Sequence, residues 1–190
     1  MAVTKKITMQ DDVFSGISAV FALAGGLPDG LDVSSSNLTE FPVSDDSGFN
    51  FDTGAPSVEH FKVKGLQTDW VNTFTPGDGE ITLEIPCHDT EVMTLCGFTG
   101  TTASVTLPSG LSTVGTAATG KSYPVTQKAV YLGLLILNDS EDKLLFIKKV
   151  KCMAQLIFDG SNKPLCVTLT GSIAAGADSA AIGICTIANP

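Results

Sequence analysis

Hydrophobic and polar positions alternate most cleanly from Glu80 to Ile85: Ile81, Leu83 and Ile85 fall on one face of an extended chain, Glu80, Thr82 and Glu84 on the other. Successive side chains of a strand point to opposite faces, so this period of two predicts a half-buried strand. Glu59 to Lys64 shows the same period, with Phe61 and Val63 inward and His60, Lys62 and Lys64 outward, and Leu165 to Thr170 repeats it through Leu165, Val167 and Leu169. Two longer β-rich runs, Val125 to Leu137 and Leu144 to Phe158, are joined by the polar turn Asn138-Asp139-Ser140-Glu141. The doublet Lys148-Lys149 breaks the alternation of the second run and predicts a bulge. Pro76-Gly77-Asp78-Gly79 marks a turn, and Asp159-Gly160 is a hairpin signal between Gln155–Phe158 and Leu165–Thr170. Ala180 to Ala188 supplies a last strand.

One short helix interrupts this pattern. Asp89 is placed as its N-cap, Glu91 in its first turn, Val92, Leu95 and Cys96 as its apolar stripe and Gly97 as its stop. From Gly97 to Gly120 the chain then runs 24 residues without a charge, built mainly of Gly, Ser, Thr and Ala. That stretch reads as a long loop ordered by function or by a partner. The expected fold is mainly β, with two packed antiparallel sheets in a β-sandwich or flattened barrel, one short flanking helix and long loops. At 190 residues it reads as a single domain, with residues 1–57 as an N-terminal arm with acidic loops and residues 58–190 as the β core carrying the loop 97–120.

Charge changes the picture. Between Lys6 and Lys62 there is no basic residue and there are nine acids, so this stretch alone accounts for the net charge of −9. It reads as acidic loops projecting from a nearly neutral body, a surface that repels nucleic acid and membranes. Arginine, whose planar fork grips phosphate, is missing from the whole chain. Charged residues are only 16 %, against roughly 25 % in ordinary globular domains, and the mean hydropathy is positive. More apolar surface than one core can hide calls for burial against identical neighbours.

Candidate chemistry is sparse. The apolar run Ala129–Leu137 falls far short of the roughly twenty residues needed to span a membrane. Lys5, Lys6, the stretch Val13–Leu23 and Ala22-Leu23-Ala24 mimic a secretory leader, but Asp11 and Asp12 sit where such a leader carries no negative charge. The five cysteines (Cys87, Cys96, Cys152, Cys166 and Cys185) form no C-x-x-C pair and read as small buried residues in a reducing compartment. Gly115 to Ser122 matches the phosphate-binding G-x-x-x-x-G-K-[ST] pattern, yet Pro108 and Gly110 stand where its strand belongs and Pro124 where its helix belongs. Asp52-Thr53-Gly54 resembles an aspartic-protease loop, but a turn explains it without chemistry. Cys87 and His88 are adjacent, so an extended backbone points them apart. No catalytic residue, metal ligand or cofactor site is expected, and the chain is not expected to be an enzyme.

The order of features resembles the tail tube protein of long-tailed bacteriophages. It rests on the Pro-Gly turn, the strand ending at Ile85-Pro86, the helix Asp89–Cys96 closed by Gly97, and the later runs Leu144–Val150, Leu156–Gly160 and Pro164–Gly171. Related tubes occur in contractile injection and type VI secretion machines. The resemblance covers about Val58 to Ala188 and implies a β-sandwich subunit that forms stacked hexameric rings around a channel for DNA. It implies a place in a virion tail assembled in the host cytoplasm, contacts with itself and other tail proteins, and transiting DNA that is not specifically bound; no membrane partner is expected. A channel wall of this kind would be lined by acids, for which Glu80, Glu84, Asp45, Asp46 and Asp52 are the candidates. The alternative is a secreted β-sandwich subunit of fimbrial or adhesin type, which would be cleaved after Ala24.

Overall fold

In the computed structural model, residues 13–43, 48–65, 71–86, 89–158, 160, 164–174 and 181–188 are described. The elements in order are β1 (Ala19–Ala24), β2 (Thr39–Phe41), β3 (Phe49–Asp52), β4 (Ser57–Phe61), β5 (Val71–Thr75), β6 (Glu80–Ile85), α1 (Thr90–Leu95), β7 (Thr101–Thr106), β8 (Ala117–Ser122), β9 (Val130–Leu137), β10 (Lys143–Ile157), β11 (Cys166–Ile173) and β12 (Ile182–Thr186). The fold is mainly β with one short helix among the described residues. An eight-stranded sheet runs β2-β1-β9-β10-β11-β6-β3 with β12 added to β10; β4–β5 and β7–β8 form two separate hairpins.

β10 organises the sheet, and the lysine doublet organises β10. Its register against β9 slips between Ile147 and Val150, so Lys148-Lys149 carries the expected bulge. Before the slip the core receives odd positions (Leu145, Ile147); after it, even ones (Val150, Cys152, Ala154). A period of two would otherwise have turned the second half of the apolar set to solvent. The sheet also forks here. β12 pairs with residues 143–147 of β10 and β11 with residues 150–157. The bulge's backbone is satisfied by three other segments: Lys148 N donates to Ala181 O at 2.8 Å, Lys148 O accepts from Leu27 N at 2.7 Å, and Lys149 O accepts from Ala174 N at 2.9 Å.

The packed layers expected from the sequence come from this one sheet bent back on itself. Ile81 and Leu83 of β6 share a void of about 10 Å³ with Leu132 and Leu134 of β9, although two strands separate β6 from β9 in the sheet. Strands lie about 4.8 Å apart, so a flat sheet would hold these side chains well out of reach. α1 packs its Val92 and Met93, with the capping Cys96, into the same core, while Leu95, expected in the apolar stripe, is only partly buried. Its ends are as expected: Asp89 accepts from Glu91 N at 2.9 Å, and Gly97 at φ +86° closes it. Gly97 N donates to Thr94 O and Phe98 N to Met93 O, at 3.0 and 2.9 Å, which is a Schellman cap whose Phe98 also enters the core.

Residues 25–38 do not project. They lie over the outer face of β1, β9 and the first half of β10, where Leu27 packs on Leu135 and Phe146, with Val33 and Leu38 alongside. Gly133 makes this approach possible, since a Cβ there would meet Leu27 N at 2.4 Å. This wing of the sheet, made of β1, β9 and the first half of β10, is thus buried on both faces, which is why β9 reads as an unbroken apolar run. The boundary at residue 57 does not follow the fold either, because β1, β2 and β3 all belong to the main sheet.

Two further expectations change. The uncharged stretch 97–120 is not a loop throughout; β7 and β8 pair over six positions. Its Thr, Ser and Ala positions show little amphipathic signal, but strands can pair without a buried face. In β4 every residue is exposed; Phe61 is 54 % and Val63 42 % exposed, so neither points inward. Leu165 lies just outside β11 and is also exposed, whereas Val167 and Leu169 are buried as expected. The Asp159-Gly160 signal falls in the connection between β10 and β11, where Asp159 lies outside the described residues.

Candidate assembly and channel surfaces

The solvent face of β10, β11, β6 and β3 gathers the acids that the sequence singles out. Register aligns its side chains into cross-strand rows: Lys151, Ser172, Glu80, Asp52; Met153, Thr170, Thr82, Asn50; and Gln155, Thr168, Glu84. Glu80 and Glu84 share a face, as the period of two predicts, because Ile81, Leu83 and Ile85 all enter the core. Asp52 stands directly opposite Glu80 on the edge strand. Two like charges facing each other destabilise a strand pair unless water screens them, and both residues are exposed. The hydroxyl-rich rows between acids and lysine hold one unsatisfied group: Thr168 Oγ1 is buried without a hydrogen-bond partner. Asp45 and Asp46 lie outside the described residues.

Two of the lysines are otherwise occupied. Lys143 is 6 % exposed, its ammonium 3.0 Å from Asp142 Oδ2. Lys149 lies over the Tyr131 ring, 4.8 Å from its centre. In the β9–β10 turn, Asn138 is 2 % exposed; its Oδ1 accepts from Lys143 N at 2.9 Å and its Nδ2 donates to Asp142 Oδ1 at 2.6 Å. These bonds, Asn138 first and Lys143 second, hold the Asp142 carboxyl below the usual carboxylate range. Asp32 is lowered in the same way by the hydroxyl and amide of Ser34.

Two of the motifs weighed in the sequence, Gly115–Ser122 and Asp52-Thr53-Gly54, take up ordinary strand and turn geometry. Residues 117–122 of the phosphate-loop pattern are strand β8, with Lys121 opposite Thr102 and the Ser122 hydroxyl 2.9 Å from that of Thr101. A phosphate cradle needs amides converging on one point at a helix start; here they alternate along a strand. Asp52 Oδ1 accepts from Gly54 N at 2.8 Å, an Asx turn completed by Gly54 at φ +83°. Cys87 and His88 lie outside the described residues. Cys96, Cys152, Cys166 and Cys185 are free thiols. Burial pushes Cys96 up to about 12, with Cys152 adding to it, and Cys152 up to about 11. Cys185 is exposed rather than buried.

Sequence reasoning expected an apolar excess at the surface but missed where it lies. Phe74 is 69 %, Leu111 67 %, Val114 95 % and Ile184 64 % exposed. β4–β5 and β7–β8 each pack chiefly on themselves, and two-stranded hairpins are marginal in water without a third layer. The missed signal in β7 was a faint period of two: Ala103 and Val105 on one face, Thr102, Ser104 and Thr106 on the other.

No protein-family model matches this chain, and no curated protein matches it. Among solved structures it is similar to a chain of the cryo-EM structure of the anti-feeding prophage baseplate, six-fold symmetrised. The TM-score is 0.43 at 12 % identity, over 97 % of this chain and 97 % of that one. A likeness this loose carries no functional argument, which rests instead on the surfaces above.

Proposed function

We propose that the chain is a structural subunit of a phage-type tail tube, assembling into stacked rings that form a conduit for DNA. The observation that carries this reading is a pair of exposed, self-packed hairpins on a chain that also presents a sheet face where three acids and a set of hydroxyls stand against one lysine, Lys151. The hairpins and the exposed apolar side chains gain stability only against neighbours. The face bearing Glu80, Glu84 and Asp52 is the proposed channel wall. Phosphates repelled by carboxylates release no bound counterions and slide past, whereas lysines in their place would hold them. On this reading the partners are further copies, other tail proteins and DNA in transit, within a virion tail assembled in the host cytoplasm. No hydrolase or nucleotide-binding activity is expected of it.

The secreted fimbrial or adhesin-type subunit fares worse on one observation. Cleavage after Ala24 would remove β1, whose Val20 and Ala22 are both 0 % exposed in the main core. Electron microscopy of purified protein across a concentration series tests the proposal. Rings or tubes with the β6 face toward the lumen are expected. A strict monomer at high concentration, or a lumen dominated by Lys148, Lys149 and Lys151, would overturn it.

A further inference from the structure

Each strand with a single neighbour leaves a row of unpaired backbone groups, and proteins that remain monomeric blunt such edges with charge, proline or shortness. Most edges here are blunted. β2 is three residues long and carries Glu40 before Pro42, β3 ends at Asp52, β4 carries Glu59 and β8 carries Lys121. β5 holds no charge either, but Pro76 closes it and Asp78 follows, whereas β7 lies in the stretch 97–120 that has no charge at all. Among the described residues β7 and β12 have no such protection: Thr101–Thr106 and Ile182–Thr186 hold no charge and no proline, and Ile184 stands 64 % exposed.

We propose that the β7 edge of one copy pairs with the free β12 edge of a second copy, making the β7–β8 hairpin an extension of the neighbour's sheet. This rests on the reading of the chain as a self-assembling subunit and names the surfaces it uses. Copies with a net charge of −9 repel one another, so contact between them belongs on uncharged surface. Residues 97–120 and 181–188 are uncharged throughout. The two edges match in length, six residues against five. Pairing would satisfy both rows of backbone groups and would lay Ile184 beside the small side chains of β7. Because β7 and β12 are different surfaces of one chain, the contact is heterologous and repeats from copy to copy, closing into a ring or continuing as a helix.

The test uses the native thiol of β12. Purified S104C protein is allowed to assemble and treated with a short bismaleimide, with C185S/S104C as the control. A cross-linked dimer that requires Cys185 is expected. Ser104→Lys and Ile184→Lys, both at exposed positions, should leave the monomer folded. Each should raise the concentration needed for assembly roughly tenfold or more, because an unpaired charge is placed in the contact. Rings that form without that cross-link, or that form as readily in both lysine variants, would overturn the inference and leave the subunit reading standing. Assembled wild-type particles whose Cys185 stays fully reactive would also overturn it, since β12 would then be left uncovered in the assembly. Wild-type protein that stays monomeric would defeat the subunit reading itself, and this inference with it.

Discussion

The wing built from β1, β9 and the first half of β10 and the hairpin β7–β8 are both antiparallel and both rich in small or branched residues, yet they are stabilised from different sources. In the wing, Ile136 and Ile147 are 0 % exposed and the outer face is roofed by Leu27. In the hairpin every residue of β8 is exposed, and Val114 at its tip is 95 % exposed. One region carries its hydrophobic partners in its own sequence; the other, on the proposed reading, takes them from neighbouring copies. On the proposed reading, the division lets a chain so poor in charge keep a core of its own and leave its hairpins for contacts with other copies. Its apolar excess is concentrated in arms and edges, away from the core.

The sharpest way to break that comparison is a matched pair of truncations. Ile147→Ala should cost about 2–5 kcal/mol in denaturant unfolding, by lost transfer energy plus the cavity left behind. Val114→Ala should change monomer stability by no more than about 0.5 kcal/mol and show itself only in assembly. Equal losses at the two sites would mean that the hairpin packs on its own body. Glycines give a second pair. At Gly133 a Cβ meets the backbone of Leu27, whereas at Gly120 it meets nothing within 4 Å. Gly133→Ala should therefore destabilise by about 1–3 kcal/mol through overpacking, while Gly120→Ala is nearly neutral.

Smaller effects come from the turn that closes the wing. Asn138→Ala leaves the buried Lys143 amide without its acceptor and should cost about 1–3 kcal/mol. Its neighbour adds a pH dependence. The folded pKa of Asp142 lies below its unfolded value, so its contribution is complete above the ordinary carboxylate range and is lost as pH falls through the folded pKa. Asp142→Asn should remove this part of the acid sensitivity, read as a flatter profile of melting temperature against pH below about 4.

What was legible in the sequence follows the same division. Strand β6, the Lys148-Lys149 bulge, the β9–β10 turn and helix α1 were all readable, because each is specified by residues near one another that face a core in the same chain. Glu80 and Glu84 were placed on one face for that reason. Asp52 opposite Glu80 was a different matter, since the pairing depends on which strand docks at the edge of β6, and periodicity is silent on that. Phe61 and Val63 alternate properly but face solvent; alternation reports two-sidedness and not what covers the apolar side. Residues 25–38 misled in the opposite sense, because their acids sit outside while Leu27, Val33 and Leu38 anchor them at irregular spacing.

The four described thiols turn the comparison into a rate measurement. Cys96 and Cys152 are buried in the core, with pKa values pushed up to about 12 and about 11 by burial. The thiolate is the reacting species, so at pH 8 these two are protected both by access and by protonation. They should label only when the core opens, a small fraction of the time in a domain of ordinary stability. Cys185 is exposed on β12 and should label at once, while Cys166, half-buried with its sulfur 3.3 Å from Pro164 O, should fall between. Mass spectrometry of peptides after timed alkylation reads each site separately. Cys96 and Cys152 should trail Cys185 by a factor of roughly 10³ or more. Assembly should then slow Cys185 and leave the core pair unchanged, because only the edge acquires a new neighbour. Should Cys96 react as fast as Cys185 in the monomer, α1 would not be part of the stable core, and the contrast between a self-sufficient wing and a partner-dependent arm would lose its physical basis.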